Sequence, residues 1–363
     1  MNLRIGTFGR QESASAVWVC AFASGCFAVD NRALFHDGNF AYFAALIASL
    51  ISLLLFCGAV RAIRRRGGCD LSALIGRSRI KAALAVPLIL SLLLSAMQPQ
   101  QQFLLTITQY VFVDAKQVSV CFYLLPCLIL LSMLGAETLV RTSRILLPVL
   151  VLSVLAALAI GLQQYRVYRL YPIPFGKPTK LLSDTAIAMH RTFSPLLALL
   201  CIGEGAQNPR ALESAGRIGA GFGAITVTCM FLGLSLSFSY AMLSDMPAPF
   251  YRMLVETRTE NPTLRLDRAA LFLWMSGALL ASSIYLYAAS VLFCRTFHVR
   301  DVRPVACAMS TAAVAAILVL YYDTDLTLAI LERLYRYGWL LAVVPIPFLR
   351  IRGKERTPCG ACA

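Results

Sequence analysis

Charge is scarce in this sequence, and side chains suited to catalysis are scarcer. Asp, Glu, Lys and Arg together make up 14% of its 363 residues, against roughly 25% in a soluble domain. The three histidines, His36, His190 and His298, stand near the ends of apolar runs, too isolated to form a metal cluster with carboxylates. No H-E-x-x-H, G-x-S-x-G or P-loop pattern occurs. A membrane enzyme or scaffold is therefore the least favoured class, and neither a metal nor a cofactor is expected. Cysteine is present, twelve in all, but Cys20, Cys57, Cys121, Cys127, Cys201, Cys229, Cys294 and Cys307 are scattered singly through apolar segments. There cysteine acts as a small hydrophobe. Cys359 and Cys362 in "CGAC" have C-x-x-C spacing but no second pair to complete a zinc site.

What the sequence has in abundance is apolar length. Hydrophobic residues are 59% of the chain and the mean hydropathy is +0.72. Stretches of about 20 apolar residues, each able to cross roughly 30 Å of hydrocarbon, recur from residue 14 to residue 351. The spans predicted are 14–35, 39–60, 80–112, 118–134, 144–162, 185–206, 214–243, 268–295, 304–321 and 336–351. In lipid a backbone must satisfy its own hydrogen bonds, so segments this long are helices. The expectation is an all-α polytopic membrane protein of ten transmembrane helices, with residues 1–363 as one membrane domain. The first stretch lacks a small-residue cleavage site and is followed by further spans, so it is expected to be retained.

The net charge of +15 does not point to nucleic acid, because Lys and Arg sit mainly in short connectors. "RAIRRRGG" (61–68) is the densest run. It reads as a cytoplasmic loop that sets orientation, with lipid-headgroup or partner docking as the other reading. With the N-terminus inside, cytoplasmic segments hold the larger share of Lys and Arg, so both termini are predicted to face the cytoplasm. The connector 244–267 is predicted to carry a short amphipathic helix around "FYRMLVET".

One stretch, "SAMQPQQQFLL" (95–105), is either a loop between two spans or the polar middle of one. Counting arginines tolerates both. Helix length does not: Phe103 to Val113 would extend only about 17 Å, too short to cross. On the single long helix that results, Gln98, Gln101 and Gln102 share a face and Gln109 extends it. Two readings stand for that face, a wall lining a ligand cavity or interhelical hydrogen bonding. Ser24 and Gly25 lie at the middle of the first span, and Ser194 and Pro195 near the middle of the sixth. Interrupted helices at matching positions of two five-helix halves point to a transporter-type site. Glu204, near the cytoplasmic end of the sixth span, is a candidate for proton coupling, or a snorkelling residue or one paired with Arg210. His190 and Arg191 read as interfacial anchors. In the eighth span Ser283 and Tyr287 lie four residues apart, on one face, and either present two hydroxyls to a ligand or bond backbone and pack.

In that order, these features resemble the spore germination permeases, the B subunits of nutrient germinant receptors, within the amino acid–polyamine–organocation superfamily. "GRQESASAVWVCAFASG" resembles the family's Arg-Gln start of span one. "DLSALIGRSRIK" resembles the short amphipathic stretch before span three, "GAETLVRTSRILLP" the passage into span five, and "RLDRAALFLWMSGALLASSIYLYAA" the eighth span with Asp267 and Trp274. The resemblance implies a five-plus-five inverted repeat of the LeuT type, with helices 1 and 6 interrupted. It also implies an amino-acid-like nutrient held between spans one, three, six and eight, near Gly25, Gln98, Gln101, Ser283 and Tyr287. The implied partners are a larger membrane germination subunit and a germination lipoprotein in the spore inner membrane. The runner-up is a proton- or sodium-coupled secondary transporter of amino acids or amines.

Overall fold

The computed structural model describes residues 6–27, 35, 39–65, 70–76, 81–112, 116–171, 178–206, 209–246, 248–256, 266–321, 333–334 and 337–343. Among them the chain is helical apart from turns and one isolated bridge between Phe8 and Ala206. The named helices are α1 (Arg10–Cys26), α2 (Ala41–Arg65), α3 (Leu71–Gly76), α4 (Lys81–Thr106), α5 (Gln117–Met133), α6 (Ala136–Gly161), α7 (Pro178–Cys201), α8 (Pro209–Ser237), α9 (Tyr240–Asp245), α10 (Pro249–Glu256), α11 (Leu266–Phe297) and α12 (Val302–Tyr321). Six of the described helical segments are long and apolar enough to cross a membrane. Residues 28–34, 344–363 and the "CGAC" pair lie outside the described residues.

α11 is the axis of the molecule. It is buried throughout residues 280–292 and packs against α4, α1, α6, α12, α5, α3 and α7. α1 runs beside it and fills the space between α11 and α8. α2 closes the other side of α7 and α8, and α12 leans on α5. Indole N–H groups in such a core need acceptors. Trp18 of α1 donates to Thr226 Oγ1 of α8 at 3.0 Å, and Trp274 of α11 donates to Ser153 Oγ of α6 at 3.0 Å. The outer faces are the reverse of a soluble protein's. Leu50, Leu54, Phe122, Ile145, Leu152 and Phe272 are all exposed, a continuous apolar surface whose natural solvent is lipid.

Small residues set the closest helix contact. On α8, a Cβ added to Gly219 would lie 2.6 Å from the Ala14 carbonyl, and one added to Gly223 would lie 2.8 Å from Ala21 Cβ. This G-x-x-x-G pair lets two backbones approach as membrane helices do when packing, not hydrophobicity, drives association. Gly135, at φ +94, makes the turn between α5 and α6, a backbone region open to glycine and costly to residues with a Cβ.

The "SAMQPQQQFLL" stretch lies inside one helix. α4 runs unbroken through Pro87 and Pro99 and passes into a π-turn, Ile107–Val111. The short helices expected before span three and around "FYRMLVET" are α3 and α10. Two other expectations are corrected. α7 is not interrupted at Ser194–Pro195: the helix continues to Cys201. A proline removes one helical N–H, and membrane helices tolerate this inside a packed bundle; beside it Ser194 Oγ donates to the His190 carbonyl at 2.6 Å. Span seven ends at Ser237 rather than 243, with α9 as a separate turn beyond the extended Ser239. α1, by contrast, stops one residue past Gly25, with Phe27 outside helical geometry and its N–H on the Ala23 carbonyl.

Candidate functional site: a buried polar belt and an ion cluster

Polar side chains collect where α4 meets α7 and α11. Ser91, Ser95, Gln98 and Gln102 follow one another at spacings of four, three and four along α4, one helical stripe, and all are buried. Ser95 Oγ lies 2.7 Å from Ser194 Oγ and 3.2 Å from His190 Nε2, joining α4 to α7. Toward α11, Gln100 Nε2 donates to Ser282 Oγ at 3.1 Å, and Ser282 Oγ donates to the Ala96 carbonyl at 2.8 Å. The amide oxygens of Gln100 and Gln101 are buried without a hydrogen-bond partner among the described residues. A buried acceptor left unpaired costs about 1–3 kcal/mol, so the belt holds two places where a donor is worth more than usual.

The residues singled out in the sequence divide among several locations. Gln98, Gln101 and Ser194 belong to the belt. Gln109 does not extend it. It falls in the π-turn, where i→i+5 bonding changes the face that each residue presents, and is exposed. Ser283 is buried but donates to its own helix, at the Leu279 carbonyl, 2.8 Å away. Its neighbour Ser282 makes the contact with α4. Tyr287 is buried and its hydroxyl meets the backbone of Ala136, at the start of α6. Gly25 faces α8, where an added Cβ would lie 3.0 Å from Val227 Cγ2. Ser24 donates to the Ala21 carbonyl at 2.8 Å and lines a separate small pocket with Ser49, Arg191, Thr192, Pro195 and Val227. His190 and Arg191 are not interfacial anchors. They are 2% and 3% exposed, with the Arg191 guanidinium 5.2 Å from the Phe231 ring centroid.

A second polar region sits at the end of the bundle that carries the start of α1. Arg295, near the end of α11, binds the carboxylates of Asp70 and Glu204 together and donates to Ser72 Oγ at 2.9 Å. Ser72 Oγ is also 2.7 Å from Asp70 Oδ2 and 3.0 Å from the Cys201 carbonyl. Asp70 Oδ1 accepts the Ala73 N–H at 3.0 Å and so caps α3. The cluster thus ties α3, the end of α7 and the end of α11 to one guanidinium. Glu204 is paired with Arg295, not Arg210, because the turn Gly203–Gly205 aims it across the bundle. Asp70 is fully buried. Desolvation pushes its carboxyl above the ordinary value of 3.8, outweighing the opposing pull of Arg295, Ser72 and the Ala73 amide.

The N-terminal segment braces the same turn. Phe8 N–H donates to the Gly205 carbonyl at 3.0 Å, and the Phe8 ring packs where a side chain on Gly205 would stand, 2.3 Å from the added Cβ. Close by, Glu12 accepts the Gly9 N–H at 2.7 Å, and Arg141 bridges Glu137 at 2.7 Å and Glu12 at 3.9 Å. The "GRQES" and "GAETLVR" stretches therefore meet in space.

Sequence reading missed Ser95, Gln100, His190 and Ser282 as members of the belt. The first was within reach: extending the glutamine face back one turn along α4 arrives at Ser95 and then Ser91. The others come from helices whose rotation no local pattern fixes. No group of His, Cys, Asp and Glu among the described residues could hold a metal ion.

Three solved structures place the fold. The chain is similar to Mhp1, a nucleobase-cation-symport-1 family transporter, in a closed conformation with bromovinylhydantoin bound. Identity is 13% over 95% of this chain and 80% of that one, with a TM-score of 0.67. It is similar to a substrate-bound, outward-open Na⁺-coupled sialic acid symporter, with 12% identity over 93% and 78% and a TM-score of 0.62. A mutant manganese transporter from Eremococcus coleocola gives 16% identity, 93% and 77% coverage and a TM-score of 0.58. At these identities the likeness shows the fold, that of helical membrane transporters. No curated protein matches. A family model described as "Spore germination protein" matches residues 15–326.

Proposed function

The chain belongs to the spore germination protein (spore permease) family, and from that premise we propose that it is the ligand-sensing membrane subunit of a spore nutrient germinant receptor. It binds an amino acid or similar small nutrient in the belt between α4, α7 and α11. The observation that carries this reading is the pair of buried, unpartnered acceptors, Gln100 Oε1 and Gln101 Oε1. An α-ammonium group supplies N–H donors to such oxygens, and the Ser95–Ser194–His190 hydroxyl and imidazole group offers a second polar contact. Binding produces a signal only by favouring one conformer over another. The conformer that α1, α7 and α11 adopt here is held at their ends by Arg295 and Phe8. Release of that hold is the step we assign to signalling.

The full reading includes ten spans in a five-plus-five inverted repeat, both termini in the cytoplasm, and residence in the spore inner membrane. It also includes a larger membrane germination subunit and a germination lipoprotein as partners. Family membership supports these features. The end of α1 at Cys26, next to Ser24 and Gly25, supports an interruption in the first span.

The test is a thermal-shift screen of the purified protein against amino acids, sugars and nucleosides, with Gln100→Leu and Gln101→Leu in parallel. A stabilising amino acid whose effect is lost in both variants is the expected result. Stabilisation by an amino acid that both variants retain refutes the placement.

A second reading is a coupled amino acid or amine transporter, favoured by the transporter fold of the solved neighbours. Glu204 is its candidate for proton coupling, held by Arg295 at the bundle end. Uptake of labelled amino acid into proteoliposomes by this protein alone, driven by a proton or sodium gradient, would decide for it.

A further inference from the structure

A shallow groove opens on the lipid-facing side of the bundle, where the end of α4 meets the beginning of α11. Phe103, Ile107, Leu271, Phe272 and Met275 form its floor and walls. Among the described residues that line it, the one charged side chain is Arg268, in the first turn of α11 and exposed. Arg141, Arg217, Arg252 and Arg295 are each held by a carboxylate, whereas Arg268 has no ion-pair partner among the described residues. The wall that Ile107 and Val111 supply is the π-turn of α4. Across that turn Tyr110 packs on Tyr251 of α10, with ring centroids 5.6 Å apart.

We propose that this groove binds an anionic phospholipid, with one acyl chain on the apolar floor and the phosphate at Arg268. The floor alone would accept a chain from any lipid. The cation decides the class, because the first turn of a membrane-spanning helix lies at headgroup depth. An unpaired guanidinium there offers forked donors to phosphate oxygens. A zwitterionic lipid brings its own ammonium group to the same place, which an arginine repels. A soluble phosphate compound would have no use for a five-residue apolar floor. The occupant braces the π-turn, a weakly bonded segment of the same helix that carries the glutamines of the belt.

The experiment is native mass spectrometry of the full-length protein released from micelles containing equal amounts of phosphatidylglycerol and phosphatidylcholine. The wild type should retain phosphatidylglycerol over phosphatidylcholine by about fivefold, the factor expected of one basic residue at an anionic headgroup. Arg268→Gln should lose the preference while keeping total bound lipid. Met275→Trp, which fills the groove, should lower retention of both lipids. If that variant does not fold, judged by its melting temperature, Phe272→Ala removes the outer wall and should have the same effect. Arg303→Gln, an exposed arginine at the start of α12, should change nothing. Preference retained in Arg268→Gln, lost equally in Arg303→Gln, or absent from the wild type would overturn the proposal. So would groove variants that bind as much lipid as before. No nutrient is needed for the readout, so it stands apart from the nutrient site.

Discussion

Two polar regions stand out among the described residues, and they are satisfied to different degrees. Around Arg295, two carboxylates, a serine hydroxyl, a backbone carbonyl and a backbone amide form a closed set that joins three segments. In the belt on α4, two glutamine oxygens have no partner among the described residues. A closed set fixes one arrangement. An open one leaves free energy to be gained by a ligand. The contrast separates the part of the molecule that holds a conformation from the part that can be persuaded to change it.

The largest way to break this contrast is to unpair the closed cluster. Arg295→Ala leaves the buried Asp70 carboxylate without its cation, and losing one partner of a buried pair costs about 3–5 kcal/mol. Melting of the detergent-solubilised variant should fall accordingly, and the thiol of Cys201, buried beside the cluster, should become reactive. A variant as stable as the wild type would mean that the cluster holds nothing. Next in size is Gly25→Val. The added Cβ meets Val227 at 3.0 Å, and overpacking of this kind costs about 1–3 kcal/mol. The effect should be on stability, with Val227→Ala restoring it. If ligand response is lost at unchanged stability, Gly25 belongs to the binding site instead of the α1–α8 seam.

The pH response is smaller and has a definite sign. Burial raises Asp70's carboxyl above 3.8, so the folded cluster binds a proton more tightly than the unfolded chain does. That contribution is fully present below about 3.8 and is lost as pH rises through the higher folded value. Relative to Asp70→Asn, the wild type should therefore gain stability as the pH is lowered from neutral toward 4. A relative loss on acidification would show that the pull of Arg295 outweighs burial. The smallest effect is expected at Ser283. Its hydroxyl serves only its own helix, so Ser283→Ala should stay within about 0.5 kcal/mol of the wild type, whereas Ser282→Ala removes two interhelical bonds and should cost about 1 kcal/mol.

Much of this was legible in the sequence where the governing physics is local. The length argument made "SAMQPQQQFLL" part of one helix, and α4 runs through it. The amphipathic pattern of "FYRMLVET" gave α10, and the resemblance of "DLSALIGRSRIK" to the family's short stretch before span three gave α3. The polarity of the glutamine face marked the belt's first wall. What was not legible depends on partners distant in sequence. Glu204 and Arg295 are 91 residues apart, and nothing near either names the other, so Arg210 stood in by proximity. His190 and Arg191 look interfacial by composition, yet α7 begins at Pro178, seven residues before the expected start, which carries both inward. Pro195 marked a break, yet a proline within a packed membrane helix need not end it, and α7 continues to Cys201. Ser282 and Ser283 are adjacent, and only the rotation of α11 decides which of them meets α4.

If the belt's unpaired acceptors take a ligand, as proposed, the melting of Gln101→Leu in the absence of any nutrient, followed by titration with the stabilising amino acid, reads it out. Removing an unsatisfied buried acceptor should leave the protein as stable as the wild type or more so, by up to about 1–3 kcal/mol, and should abolish the ligand-induced shift. A variant that melts lower than the wild type and still responds to the amino acid would show instead that Gln101 holds helices together.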